Sequence, residues 1–306
     1  MYLPYSEWVK KHLGEGRIQK LSVNGGFGCP NRDGTLAFGG CTYCSNESFT
    51  PPYCHKDKPI AQQLEEGKSF FRHKYPSQRY LAYFQDYSGS YFHGAGKNGD
   101  GGIHIEVERL KPLYEEALNV DGVIGLVIAT RPDCVSEQWL DYLQSLQERG
   151  YFIEVEYGVE STHDATLRRI NRGHDYATAC LAVSETKRRG ITTCVHLILG
   201  LEGESHEMML NMADDMNALK PDIVKLHQLQ IVKGTRLAQR YEKGENVGTL
   251  FSLDAYIDMV VQFLSRLNND ICVERFVSQV PSEYLIAPRW GMKNFEFVDR
   301  VKKRLC

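Results

Sequence analysis

The feature that most constrains the fold of this chain is a repeated alternation between short apolar runs and longer amphipathic segments. The apolar runs predict buried strands: Ile18–Val23, Tyr80–Phe84, Val123–Thr130, Phe152–Tyr157, Thr193–Leu199 and Ile223–Leu229. The segments with helical spacing predict helices: Ile60–Lys74, Ile105–Asn119, Ser136–Arg149, His163–Ile170, Tyr176–Arg189 and His206–Leu219. Such alternation favours parallel strands joined by right-handed crossovers. We therefore expect an α/β fold, a partial (β/α)6 barrel of the TIM type.

The alternation of apolar runs and amphipathic segments stops near residue 258, which suggests two structural units. Residues 1–257 are predicted to form the barrel core, and residues 258–306 a C-terminal extension that packs on the barrel. Within the extension, Ile271–Ser278 is a candidate for one more strand and Phe295–Leu305 for a basic helix. In parallel α/β folds the chemistry lies at the carboxyl ends of the strands, so motifs at those positions are the first candidates for a site.

Composition and targeting signals narrow the class of protein. The net charge is −3, so the chain as a whole does not call for nucleic acid or an anionic membrane. The N-terminus lacks the apolar region of a signal peptide. No apolar run is close to the length of a membrane span, which needs about 20 residues. We expect a cytoplasmic protein without a membrane partner. Nine cysteines, an odd number, then argue for metal or catalytic roles rather than a disulfide framework.

Three of these cysteines form a compact group after the first predicted strand. Eleven residues separate Cys29 from Cys41, and two separate Cys41 from Cys44. Thiolates suit zinc or iron–sulfur clusters. Structural zinc usually takes four ligands, and Cys54 is a possible fourth. The spacing by itself leaves both interpretations open.

The cysteine segment, CPNRDGTLAFGGCTYC, resembles the YhcC-type radical S-adenosylmethionine (SAM) proteins, which are relatives of the elongator catalytic subunit. Further stretches support the resemblance from Ile18 to about Arg289, each at or just after a predicted strand end: TRPD at 130–133, INRGHD at 170–175, HLILGL at 196–201 and VKLHQLQIVKGT at 224–235. Each stretch alone is weakly specific. Their occurrence together in this order makes the resemblance specific.

The resemblance implies an enzyme with two cofactors. Cys29, Cys41 and Cys44 would hold three irons of a [4Fe-4S] cluster, and SAM would chelate the fourth. One electron from the reduced cluster would cleave SAM, and the resulting radical would abstract hydrogen from a substrate. The electron would come from a donor such as flavodoxin or ferredoxin.

Polar residues at several predicted strand ends are candidates for SAM contacts by the same resemblance. Gln85, Asp86 and Ser88 follow the second strand, although the Gly-Gly-Glu form of that loop is absent. The other candidates lie on or after the next three strands: Thr130, Glu160, Arg172 and His196. Glu160 and Arg172 are twelve residues apart, the spacing of a Gln and an Arg that contact SAM in oxygen-independent coproporphyrinogen oxidases. A structural ion pair between them, and a core role for His196, are the competing interpretations.

The substrate is the least constrained part of the prediction. Lys225 and His227 share one face of the sixth strand and are candidates for its substrate side, or Lys225 pairs with a core carboxylate. The elongator relationship suggests a tRNA substrate and modification of the wobble uridine. Local basic clusters could bind phosphates or be solvated helix faces: Arg168, Arg169 and Arg172; Lys187, Arg188 and Arg189; Arg300, Lys302, Lys303 and Arg304. A small-molecule substrate and a non-catalytic, zinc-binding RNA adaptor are the alternatives.

Overall fold

The structure is a computed structural model that describes residues 2–72 and 78–305. Its centre is an eight-stranded, wholly parallel sheet with the order β1-β9-β7-β6-β5-β4-β3-β2. The strands are β1 (Leu3–Pro4), β2 (Ile18–Val23), β3 (Arg79–Phe84), β4 (Val123–Thr130), β5 (Phe152–Glu160), β6 (Thr192–Leu199), β7 (Ile223–Gln228) and β9 (Cys272–Arg275). A separate antiparallel pair joins β8 (Ile231–Val232) to β10 (Leu285–Ala287).

The sheet curls into an open half-barrel. Lys20 on β2 lies 2.9 Å from Glu154 on β5 and 2.9 Å from Glu274 on β9, although β3 and β4 separate β2 from β5 in the sheet. Such contacts are possible only if the inner faces of distant strands turn toward one another. The predicted α/β fold of partial-barrel type is therefore confirmed.

All six predicted strands are present, and two more complete the sheet. β9 lies within the predicted Ile271–Ser278 run and pairs with β7, and β1 pairs with β9 at the edge. β1 has only two residues and is too short to produce a periodic pattern, so no sequence signal predicts it. β5 is three residues longer than predicted and ends at Glu160.

Helices cover the outside of the sheet and carry the expected apolar stripe. They are α1 (Tyr5–Leu13), α2 (Ile60–Arg72), α3 (Val107–Leu118), α4 (Glu137–Glu148), α5 (Asp164–Arg169), α6 (Tyr176–Arg188), α7 (His206–Leu219), α8 (Arg236–Glu242), α9 (Leu253–Arg266) and α10 (Asn294–Leu305). Several begin where a side-chain oxygen accepts a hydrogen bond from the first turn, as at Ser136, Asp175 and Ser205. His73 and Lys74 of the predicted helix Ile60–Lys74 lie outside the described residues. None of the helices in the described chain is long and apolar enough to cross a membrane.

The C-terminal part is built on α9 and α10. Phe297 and Val301 of α10 are buried, and the Phe297 ring lies 5.6 Å from that of Tyr256 on α9. The predicted boundary between residues 257 and 258 falls inside α9, and β9 beyond it belongs to the main sheet. The division into 1–257 and 258–306 stays a prediction.

Candidate active site at the carboxyl edge of the sheet

A cavity of about 260 Å³ opens at the carboxyl ends of the strands. Ten of the predicted site residues line it: Cys29, Cys41, Cys44, Gln85, Ser88, Thr130, Glu160, Arg172, His196 and His227. Asp86 and Lys225 are not among the lining residues. Residues about 200 positions apart in the sequence thus meet in one place, as expected for parallel strands.

The cysteine loop is hydrogen-bonded to the INRGHD motif at residues 170–175. The Asn31 Nδ2 donates to the Asn171 carbonyl at 2.5 Å, and the Asn171 Nδ2 donates to the Gly40 carbonyl at 2.9 Å. The Thr42 amide donates to the Ile170 carbonyl at 3.0 Å. Gly40 has a φ of 74°, a left-handed conformation that favours glycine. These bonds hold Cys41 over the strand ends although the loop has no regular secondary structure.

The three cysteines of the loop all line the cavity, and Cys54 does not join them. Burial raises the pKa of the Cys29 thiol, which Arg131 opposes, and burial raises the pKa of Cys44 to about 11. Such thiols are protonated at neutral pH and release protons when they bind a metal. The Cys54 sulfur lies 2.9 Å from the Ser22 carbonyl instead, away from the cavity lining.

The spacing of the three sulfur atoms distinguishes a cluster from a single ion. Around tetrahedral zinc, with Zn–S bonds of about 2.3 Å, sulfur atoms lie about 3.8 Å apart. Within residues 2–72 and 78–305, the sets of three or more ligand atoms that all lie within 4.8 Å of one another do not include the sulfurs of Cys29, Cys41 and Cys44. At least two of the three sulfur atoms therefore lie more than 4.8 Å apart, farther than two ligands of one zinc ion, and this arrangement suits a larger group.

Arg172 and Glu160 lie together beside Cys41. The Arg172 Nη2 is 3.7 Å from the Glu160 carboxylate, and its Nη1 is 3.5 Å from the Cys41 sulfur. Arg172 also donates to the Gly158 carbonyl through Nε at 3.2 Å. Glu160 has a φ of 72°, which is uncommon outside glycine, and follows a register shift between β5 and β6. This conformation places its carboxylate beside Arg172 in the cavity wall.

Arg131 of the TRPD motif is a site residue that the sequence analysis missed. Its side chain is buried, makes two hydrogen bonds of 2.8 and 2.7 Å to Asp133, and donates to the Arg172 carbonyl at 2.7 Å. Its third nitrogen, Nη1, has no hydrogen-bond partner among the described residues. The motif itself was the available signal, since an Arg at a strand end is the usual partner for a carboxylate or phosphate.

Several buried polar atoms of the cavity region have no partner in the part of the chain that the structure describes. They are Arg131 Nη1, Ser88 Oγ, Asn31 Oδ1 and Arg32 Nε. Buried polar groups are normally paired, so a cluster of exceptions in one place indicates a ligand site. Together with three wide-set thiols, these atoms fit a cluster and a polar small molecule bound beside it.

The other residues predicted after β3 and β4 have defined partners. The Gln85 Nε2 donates to the Ser22 hydroxyl at 2.7 Å, and the Thr130 hydroxyl lies 2.6 Å from that of Ser90. Asp86 accepts a hydrogen bond from Asn46, and burial raises the pKa of its carboxyl group. Asp86 thus supports the loop from outside the cavity.

The inner wall of the cavity is formed by histidines that stand on a buried ionic network. The rings of His196 and His227 stack with centroids 5.1 Å apart. The His196 Nε2 lies 2.9 Å from the Glu156 carboxylate, which also accepts from Tyr83 at 2.6 Å and from Lys225 at 2.5 Å. Lys225 therefore lies behind Glu156 and does not line the cavity. Burial lowers the pKa of both histidines, so both are neutral at pH 7.

Glu154 and Glu156 share the inner face of β5 but differ in charge. Burial would raise the pKa of Glu156, but Lys20 and Lys225 hold it well below its usual range. Burial raises the pKa of Glu154 to about 8, with Lys20 opposing that shift. Glu156 is thus the anionic centre of the network. Two acidic residues on alternate positions of a strand were the signal that could have identified it.

Comparison with known proteins agrees with this geometry. The sequence model of the Radical SAM superfamily matches residues 23–216, and that of the Radical_SAM C-terminal domain matches residues 221–306. The chain therefore belongs to the radical SAM superfamily. It is 34% identical over 274 residues to protein YhcC of Escherichia coli, covering 90% of this chain and 82% of YhcC.

More distant similarities reach the elongator branch. Over 146 residues the chain is 30% identical to the tRNA uridine(34) acetyltransferase of Methanocaldococcus infernus, which is 45% of this chain and 27% of that protein. The structure of Elp3 from the same archaeon superimposes with a TM-score of 0.61 at 18% identity, covering 94% of this chain and 62% of that one. At this identity the superposition shows a shared fold.

Membership confirms the coarse prediction. The protein is a radical SAM enzyme related to YhcC and to the radical SAM portion of the elongator catalytic subunit. Its superfamily uses a [4Fe-4S] cluster and SAM and needs an electron donor. The non-catalytic zinc adaptor is not supported, since members of this superfamily are enzymes.

Proposed function

We propose that Cys29, Cys41 and Cys44 bind three irons of the cluster and that SAM binds in the cavity beside them. The observation that carries this proposal is the convergence of three wide-set thiols with unpaired buried donors in one cavity. When bound and reduced, the cluster supplies the electron that cleaves SAM. We also propose that the electron donor is a flavodoxin or a ferredoxin.

The chain's own residues would orient SAM and shield the site. Arg172 is held by the Gly158 carbonyl and by Glu160, so its position is fixed before any ligand binds. Its nitrogen near Cys41 would stabilise negative charge on sulfur. The unpaired Arg131 Nη1 and Ser88 Oγ are donors for the polar end of SAM. Tyr43 and Phe49 line the same cavity and would limit access of water.

The test is anaerobic reconstitution followed by reduction in the presence of SAM. The wild-type protein should contain about four irons and four sulfides per chain and should release 5′-deoxyadenosine and methionine. Arg172→Ala and Glu160→Ala should each weaken SAM binding by about tenfold or more, which is about 1.4 kcal/mol, while the cluster absorbance persists. Wild-type SAM affinity in both variants would reduce the pair to a structural ion pair.

We propose a tRNA uridine, at or near the anticodon, as the substrate. The support is the partial sequence similarity to a tRNA uridine(34) acetyltransferase. The surface gives this proposal only limited support, because most of the predicted basic clusters pair with carboxylates of the same chain. Lys187 lies 2.9 Å from Asp222, and Arg189 lies 2.7 Å from Asp141.

The C-terminal cluster shows the same pairing. Lys303 lies 2.7 Å from Asp299, and Arg304 pairs with Asp258. Charges paired in this way are less available to phosphates. This local pairing favours a second candidate, a small-molecule substrate that enters the cavity directly.

Two experiments separate the candidates. Cells with and without the gene should differ in one modified tRNA nucleoside, measured by mass spectrometry, if tRNA is the substrate. Purified protein should bind tRNA with an affinity that falls steeply with salt, and reversing the charges of Lys302, Lys303 and Arg304 should weaken this binding without changing SAM cleavage. Unchanged nucleosides and no salt-sensitive binding would favour the small-molecule substrate.

A further inference from the structure

Arg275 differs from the other cations on the inner face of the half-barrel. Lys20 and Lys225 each contact at least two carboxylates at 3.2 Å or less. Arg275 lines the cavity, yet in the described part of the chain no carboxylate forms an ion pair with it. Its Nε is buried without a hydrogen-bond partner. A structural arginine would leave no such donor unpaired, because a buried unpaired group is costly.

A strand irregularity turns Arg275 into the cavity. The parallel pairing of β7 with β9 passes from Val224–Val273 to Lys225–Arg275, so Glu274 is an extra residue in β9. In a regular strand, neighbours point to opposite faces. Here Glu274 binds Lys20 in the interior, and Arg275 also reaches the cavity. Bulges of this kind re-aim side chains next to active sites.

His227 holds the guanidinium in place. The Arg275 Nη2 lies 3.2 Å from Nε2 and 3.4 Å from Nδ1 of His227. Burial first, and then Arg275, lower the pKa of His227, so the imidazole is neutral and does not repel the guanidinium that lies against it. The rest of the fork remains available to a ligand. His227 therefore acts as a positioning residue for Arg275.

The charges of the inner wall leave one cation in excess. Three cations, Lys20, Lys225 and Arg275, face Glu156 and Glu274. The third carboxyl group, Glu154, is mainly protonated at pH 7 because burial raises its pKa to about 8. The lysines share the two carboxylates, so the excess positive charge resides on Arg275.

We propose that Arg275 binds an oxyanion of the substrate, a carboxylate or a phosphate group, on the side of the cavity formed by His196 and His227. The planar fork of arginine matches both groups with two parallel hydrogen bonds. This assignment rests on the proposed function, since it treats the cavity as the place where the substrate meets SAM. It names the chemistry of the substrate's recognition group: an acid in a small molecule or a phosphate in a nucleotide.

Matched pairs of probes test the site without turnover. Reconstituted protein with SAM is titrated anaerobically, by calorimetry, with uridine 5′-monophosphate against uridine and with orotate against uracil. The first pair differs by a phosphate and the second by a carboxylate. We expect the anionic member of at least one pair to bind at least tenfold more tightly, and the pair that responds identifies the group.

Variants assign the preference to Arg275. Arg275→Gln should abolish the preference, Arg275→Lys should retain part of it, and Arg109→Gln, at an exposed arginine on α3, should leave it unchanged. Iron content and circular dichroism verify that each variant is folded. No preference in the wild type, or an undiminished preference in Arg275→Gln, would overturn the assignment. A protein that shows the preference but does not cleave SAM would contradict the proposed function and not this site.

Discussion

The cavity has two walls that are organised differently: a cysteine wall, formed by the Cys29–Cys44 loop with Arg131 and Ser88, and the inner wall of the histidines and the ionic network beneath them. On the cysteine wall, Arg131, Ser88 and Asn31 each carry a buried polar atom without a protein partner. On the inner wall, Lys20, Lys225 and Glu156 are joined by bonds of 2.9 Å or less, and the unpaired buried atoms among the described residues there are Arg275 Nε and one oxygen of Glu154. Buried polar groups that are hydrogen-bonded to one another support the fold, whereas buried polar groups without a partner indicate a ligand site. The presence or absence of a hydrogen-bond partner therefore distinguishes the charged residues that support the half-barrel from those that are candidates for ligand binding.

The largest expected effect is on the cysteine wall. Replacing Cys29, Cys41 or Cys44 with Ala should abolish the cluster, because each thiolate would hold one iron. The measurement is iron and sulfide content and the visible absorbance after anaerobic reconstitution. Cys54→Ala is the matched control and should keep its cluster, since the Cys54 sulfur contacts the Ser22 carbonyl. Loss of all iron in Cys54→Ala would contradict the three-ligand assignment.

The second effect is on the inner wall. Glu156→Gln should destabilise the fold by about 3–5 kcal/mol, because it leaves Lys225 and Lys20 with an uncompensated buried charge. Urea unfolding under anaerobic conditions measures the change. Glu115→Gln, in a half-exposed pair with Arg149, is the control and should leave the unfolding midpoint nearly unchanged. A Glu156→Gln protein as stable as this control would mean that the network does not support the fold.

Sequence reasoning identified the cysteine wall better than the inner wall. The cysteine spacing and the INRGHD stretch are local patterns, so Cys29, Cys41, Cys44 and Arg172 could be found without a structure. Seven of the eight central strands were predicted, because apolar runs in a parallel sheet are continuous. These signals depend on neighbours in the sequence.

The missed features depend on contacts between distant segments. Glu156 meets Lys20 across 136 residues and Lys225 across 69. No local pattern predicts such pairs. The two register irregularities are equally invisible, yet they direct Glu160 and Arg275 into the cavity. A single charged residue in an apolar strand can be recognised, but its partner cannot.

The pH dependence of stability sharpens the contrast within β5. The pKa of Glu154 in the folded protein is raised to about 8, so its stabilising contribution is complete below the unfolded pKa of 4.5 and is lost as the pH rises through about 8. Between pH 7 and pH 8, Glu154 should lower the free energy of unfolding by up to about 1.4 kcal/mol per pH unit. The neutral histidines act below this window, because burial lowers their pKa values from 6.5.

Glu154→Gln measures this contribution directly. The variant should lose the decline between pH 7 and pH 8 that the wild type shows in urea unfolding. Comparison of the two proteins cancels the contribution of groups that do not interact with Glu154. Parallel pH profiles for both proteins would show that Glu154 is ionised throughout, and the two glutamates would then be alike.

The smallest expected effect is at an exposed ion pair on α10. Arg304 and Asp258 have 42% and 55% of their side chains exposed, unlike the buried pairs of the inner wall. Water and salt screen such a pair, so Arg304→Gln should cost at most about 1 kcal/mol in urea unfolding. The same helix is anchored by Phe297, which is 1% exposed, and Phe297→Ala should cost about 3–5 kcal/mol. If Arg304→Gln were as damaging as Phe297→Ala, burial would not be what separates strong from weak ion pairs in this protein. In that case, burial of Phe297 would not be the main interaction that attaches α10 to the rest of the protein.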